Sequence, residues 1–103
     1  MYFVYILRCR GDRLYTGITT DIERRFREHL GNSRGAKFTK ANPPQETAAL
    51  WSCENRSIAS KLESAIKKLS RTKKLLLISE DISLYDVIKE DSSNYVRIFD
   101  KNS

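Results

Sequence analysis

A chain of 103 residues and 12.0 kDa is one domain's worth of protein, and 40% hydrophobic with 31% charged residues excludes wholesale disorder. No apolar run approaches the ~20 residues of a membrane-spanning helix, and the apolar start, residues 1–7, lacks a basic leader and a small-residue cleavage site. The formal charge of +6 is lopsided: residues 1–79 hold 16 basic and 7 acidic groups, a net of +9, whereas residues 80–103 hold 3 and 6, a net of −3. A basic body with an acidic tail points to a polyanion partner, and nucleic acid is the usual one. Cys9 and Cys53 have no metal-ligand spacing, so they read as reduced thiols of a cytoplasmic protein.

Residues 2–9 form an apolar and aromatic run that is short for a helix and rich in Tyr, Phe and Val, which predicts a buried strand. Turn chemistry at Arg10-Gly11-Asp12-Arg13 and a resumed pattern over residues 14–18 make the first 18 residues a hairpin. Thr20 or Asp21 caps a helix running to Leu30, with Gly31 as its stop. Residues 31–44, with two glycines and two prolines among basic groups, read as loop, and residues 45–53 as a third strand. Asn55 or Ser57 opens a helix with Ile58, Leu62, Ala65, Ile66 and Leu69 at helical spacing, and Ser70 caps another running from Arg71 to Ile78. Residues 84–88 suggest a short helix, and residues 95–99 a strand or ordered tail. The order β-β-α-β-α-α predicts an α+β domain, a small three-stranded, mainly antiparallel sheet packed by helices. On charge and pattern, residues 1–79 form the domain and residues 80–103 an acidic C-terminal extension.

At 100° per residue with Ile22 at zero, Phe26 falls near 40° and Leu30 near 80°, a buried stripe flanked by Arg25 and His29 on one margin and Glu23 and Arg27 on the other. Arg24 and Glu28 point to solvent. A cationic head on such a margin reaches a groove while its stem stays packed, and geometry does not prefer Arg25 to Arg27. Glu63 flanks the apolar face of the second helix, four residues before Lys67; an exposed i,i+4 pair is the plain alternative to a functional carboxylate. His29 is the one histidine, and a lone helix-margin His is by default packed. Tyr5 and Tyr15 are by default core aromatics.

Taken together, these residues resemble the GIY-YIG nuclease superfamily. Val4-Tyr5-Ile6 stands where that family has its first tripeptide and Tyr15-Thr16-Gly17 where it has its second. Arg25 follows the second tyrosine by ten residues and His29 comes four later, as in many members. Glu63, within Leu62-Glu63-Ser64-Ala65-Ile66-Lys67-Lys68, matches the metal-ligating glutamate. Gly35-Ala36-Lys37-Phe38-Thr39 and Leu69-Ser70-Arg71 are similar to the small stand-alone members, over residues 2–79 in all. Both tripeptides are degenerate, and Ser70-Arg71-Thr72-Lys73-Lys74-Leu75 lacks the asparagine that many members carry after the metal-binding helix.

The resemblance implies one-metal cleavage of DNA phosphodiester bonds, with a role in repair or recombination. Glu63 would hold Mg²⁺ or Mn²⁺, Arg25 would neutralise the phosphoryl oxygens, Tyr5 or Tyr15 would handle the attacking water, and His29 would either assist proton movement or hold a tyrosine or phosphate in place. Arg34, Lys37 and Lys40 are expected to track the nucleic-acid backbone. Lys67, Lys68, Arg71, Lys73 and Lys74 either extend that surface or form a solvated helix face. The alternative function is a nucleic-acid-binding module on the same fold that cleaves weakly or not at all. With no room expected for a second domain in 103 residues, target choice would fall to a partner protein or to nucleic-acid shape, or specificity would be low. The nuclease reading also makes a structural demand. A two-residue turn at Gly11-Asp12 would put Tyr5 and Tyr15 on opposite sheet faces, so the hairpin must contain an odd-length loop or a bulge.

Overall fold

The computed structural model describes residues 1–31 and 37–99. The chain runs β1 (Tyr2–Cys9), β2 (Arg13–Thr19), α1 (Ile22–Gly31), α2 (Lys37–Ala41), β3 (Pro44–Cys53), α3 (Arg56–Lys67), α4 (Arg71–Ile78), α5 (Leu84–Ile88) and β4 (Val96–Arg97). All pairings are antiparallel, in the spatial order β2-β1-β3-β4. The sheet therefore has four strands where the sequence pattern predicts three, within the expected α+β class. The extra strand, only two residues long, falls within residues 95–99, which the sequence reads as a strand or an ordered tail.

The hairpin has an odd loop. Phe3 pairs with Thr19, Tyr5 with Gly17 and Cys9 with Arg13, which leaves residues 10–12 as a three-residue connection. Gly11 (φ 77°) and Asp12 (φ 59°) take left-handed backbone there, a conformation that favours glycine and tolerates aspartate. This register puts Tyr5, Leu7 and Tyr15 on one face of the sheet.

As the central strand, β1 is covered on both sides, which explains its nearly continuous apolar sequence. Val4 and Ile6 face the larger core with Trp51 of β3, Ala59, Leu62 and Ile66 of α3, Leu77 of α4 and Tyr95. Tyr5, Leu7 and Cys9 face a smaller cluster with Tyr15, Ile22 and Phe26. The segment after α4 folds back on this frame: Tyr95 Oη donates to the Ile58 carbonyl at 2.8 Å, and Arg97 Nη2 to the Ile78 carbonyl at 3.1 Å.

The helix starts follow local chemistry. Asp21 Oδ1 accepts from Arg24 N at 3.1 Å, Asn55 Oδ1 from Ile58 N at 2.9 Å and Ser70 Oγ from Lys73 N at 3.2 Å. The faces these helices bury differ from the apolar stripes. On α1, Leu30 is 50% exposed and His29 is 1% exposed, so the helix is rolled toward its Arg25–His29 margin. On α3 the fully buried residues are Ala59, Leu62 and Ile66, which brings Glu63, one turn after Ala59, toward the sheet. The region read as loop contains α2, whose Thr39 is fully buried.

Candidate active site

The site begins at Tyr5, which points from the middle of β1 toward α1. Its paired residue, Gly17, is what makes room for it: a Cβ at position 17 would lie 2.6 Å from Tyr5 Cζ. The Tyr5 hydroxyl sits 2.9 Å from His29 Nε2, and His29 Nδ1 sits 2.7 Å from Thr39 Oγ1. All three residues are essentially inaccessible. A polar chain buried this deeply is tolerable only because its members satisfy one another. Tyr15 completes the cluster, its ring centroid 5.1 Å from that of His29 and 6.4 Å from that of Tyr5.

Arg25 is the cation of this cluster. Its side chain lies within hydrogen-bonding reach of Tyr5, and its Nη1 donates to Glu28 Oε1 at 2.9 Å. Helical geometry left Arg25 and Arg27 equivalent. The roll of α1 separates them, turning Arg25 to the buried cluster and leaving Arg27 exposed. It also corrects the reading of Glu28 as solvent-facing: its side chain is only 14% exposed and holds Arg25.

Burial, opposed by Arg25 and reinforced by Tyr15 and Glu63, pushes the Tyr5 phenol up to about 12. Burial and the adjacent Arg25 charge, against a weaker pull from Glu28, bring the His29 imidazole down to about 4. Near pH 7, then, Tyr5 is a phenol and His29 a neutral ring with one N–H and one lone pair. If the lone pair is on Nε2, Tyr5 donates to it and the Nδ1–H donates to Thr39.

Glu63 is near enough for its charge to act on Tyr5, and its Oε2 lies 3.4 Å from Lys67 Nζ. Among the described residues, no three His, Cys, Asp or Glu side chains gather into a metal-binding group. A single carboxylate suits Mg²⁺ or Mn²⁺, which keep most of their waters, and does not suit zinc, which takes three or four protein ligands.

The basic residues expected to meet nucleic acid spread over several elements. Lys37 and Lys40 are exposed on α2, Lys68 and Lys73 are exposed near or on α4, and Arg34 lies outside the described residues. Lys67 is engaged with Glu63, and Arg71 Nη2 donates to Asp12 Oδ2 at 2.9 Å. Arg71 and Lys74 share a cleft with Arg13, Leu14 and Phe38. Sequence reasoning gave no site role to Thr39 and Phe38, quoted only within a motif, or to Glu28, read as solvent-facing. The i,i+3 spacing from Arg25 was a signal for Glu28. Nothing in the local pattern marks the other two, whose partners are ten and 23 residues away.

A family model described as the GIY-YIG catalytic domain matches residues 1–75. Among curated relatives, a UPF0213 protein of Desulfotalea psychrophila is 47% identical over 77 residues, covering 75% of this chain and 70% of its own. A UPF0213 protein of Fusobacterium nucleatum is 42% identical over 79 residues, covering 77% and 78%. The solution NMR structure of a UPF0213 protein from Bacillus halodurans is similar in fold, with a TM-score of 0.51 and 36% identity over 89% of this chain and 98% of that one. No helix among the described residues is long and apolar enough to cross a membrane. With the family match spanning every element that carries the tyrosine, arginine, histidine and glutamate, this chain belongs to the GIY-YIG catalytic domain family, a family of nucleases.

Proposed function

We propose that this protein is a divalent-metal-dependent endonuclease that hydrolyses DNA phosphodiester bonds, in the context of repair or recombination. One observation carries the reading: a tyrosine hydroxyl is hydrogen-bonded to a neutral histidine with an arginine charge beside both, in a site where burial has shifted the tyrosine and the histidine. Perturbed groups converging in this way are the mark of a site built for chemistry.

In this reading Tyr5 is a relay. A phenol at about 12 is not ionised at neutral pH, so its oxygen takes the proton of the attacking water as its own proton passes to His29 Nε2. The neutral imidazole has the lone pair to receive it, and Thr39 accepts from the opposite ring nitrogen. Arg25, held by Glu28, places its guanidinium charge toward the phosphoryl oxygens, where negative charge grows. Glu63 would hold Mg²⁺ or Mn²⁺, which when bound supplies Lewis acidity. Tyr15 packs the His29 ring and fixes its orientation.

The test is incubation of plasmid, single-stranded and branched DNA with Mg²⁺ or Mn²⁺, beside Glu63→Ala and Arg25→Ala. Cutting by the parent chain that both substitutions abolish is the expected result. Cutting that survives both sinks the assignment, and tight, salt-sensitive binding without cutting makes the protein a binding module.

A further inference from the structure

At the open outer edge of β2 lies a cleft of about 240 Å³, lined by Arg13 and Leu14 of β2, Phe38 of α2, and Arg71 and Lys74 of α4. It brings three cationic groups around one aromatic ring. That ring is 36% exposed, and it stacks on Tyr15 at 5.7 Å between centroids and 24° between planes. Tyr15 in turn touches the His29 ring of the catalytic cluster. An aromatic column thus runs from the catalytic cluster out to a cationic surface.

We propose that this cleft holds one unpaired nucleotide of the DNA strand, its base stacked on Phe38 and its flanking phosphates held by Arg13, Arg71 and Lys74. The proposal rests on the nuclease reading above and adds the form of substrate to it. Cations alone would serve any duplex. An exposed aromatic ring among them serves only a base whose face is available, because bases in a duplex are stacked on each other. The cleft is smaller than the 300–1,000 Å³ typical of sites for free small molecules, which suits a single unit of a chain whose neighbours lie outside.

The salt links around the cleft fit this role. Asp12 accepts from Arg8 Nη1 at 2.6 Å and from Arg71 Nη2 at 2.9 Å, so it steers Arg71 toward the β2 edge. Asp12 is exposed, and a solvent-screened pair of this kind yields readily to a phosphate, which offers Arg a better-matched pair of acceptors. Among the described residues, no acidic side chain lines the cleft. The expected substrate is single-stranded or branched DNA with an unpaired nucleotide next to the cut.

Fluorescence anisotropy with a labelled oligothymidylate and with a blunt duplex tests this on the full chain. Phe38→Ala should weaken single-strand binding by about 5- to 150-fold, the range of one base–aromatic stack, and leave duplex binding unchanged. Phe38→Leu, which keeps an apolar cover on Tyr15, should show the same loss, separating stacking from a packing defect. Neither should alter the salt slope, whereas Arg13→Ala and Lys74→Ala should each lower it by about 0.7 on the single strand. A Phe38→Trp variant should lose emission when the oligonucleotide binds. Unchanged single-strand affinity in Phe38→Ala and Phe38→Leu, or equal losses on both DNA forms, overturns the subsite and leaves the nuclease reading standing if the parent chain cuts. A parent chain that binds neither form overturns both.

Discussion

The two faces of β1 solve different problems with neighbouring residues of one strand. Val4 and Ile6 look toward α3 into a core built from aliphatic residues, Trp51 and the ring of Tyr95. Tyr5 looks toward α1, where His29 and Thr39 are equally buried but polar. Apolar side chains would fill that second space at lower cost, since each buried hydroxyl or imidazole must find a partner to offset its lost hydration. The α3 face therefore stabilises the fold, and the α1 face spends part of that stability on holding reactive groups. Gly17 belongs to the second economy, because it gives up a side chain so that the Tyr5 hydroxyl has a place.

That division can be broken in graded steps. Trp51→Ala, on the α3 face, should cost about 3–5 kcal/mol in denaturant unfolding while leaving cleavage per folded molecule intact. A matching loss of specific activity would mean the faces are not separable. Arg25→Ala should do the reverse, lowering cleavage about 100- to 1,000-fold, or about 2.7–4 kcal/mol in the barrier, with a stability change near 1 kcal/mol.

Acid should strike the α1 face first. His29 titrates near 6.5 when unfolded and about 4 when folded, so the unfolded chain binds the extra proton between those values. Stability should be level above pH 6.5 and fall by about 3 kcal/mol as pH drops toward 4. Unfolding titrations of the parent and His29→Gln check this, with the variant expected to lose that slope. Cleavage should fall over the lower end of the same window, where His29 can no longer accept a proton. Gly17→Ala should cost about 1–3 kcal/mol and displace Tyr5, and a variant of full activity would show that the hydroxyl's position matters little.

Much of the fold was legible because its signals are local. Caps at Asn55 and Ser70, the apolar and aromatic run and turn residues of the hairpin and the apolar spacing of α3 each act within a few residues. The roll of α1 was not, because the stripe Ile22–Phe26–Leu30 weighs only hydrophobicity. It cannot register that His29 finds Tyr5 24 residues upstream and Thr39 ten downstream, bonds that offset the cost of burying a histidine. The β4 pairing and the short α2 are likewise held from outside, by β3 and by the packing of Thr39 and Phe38. At the site, Tyr5, Tyr15, Arg25 and Glu63 were marked by spacing and resemblance. The choice between Arg25 and Arg27 needed the third dimension.

The three-residue connection at Arg10, Gly11 and Asp12 has a consequence for how this protein can vary. Face assignment along β2 depends on the parity of that connection, so the meeting of Tyr5 and Tyr15 is encoded in a length and not in any one side chain. Exchanging the residue at position 10 should be nearly silent, whereas deleting it would invert every outward and inward position of β2 at once. A deep scan of this segment should therefore tolerate spelling changes and reject single-residue insertions and deletions, while changes of two residues preserve the reading frame of the sheet.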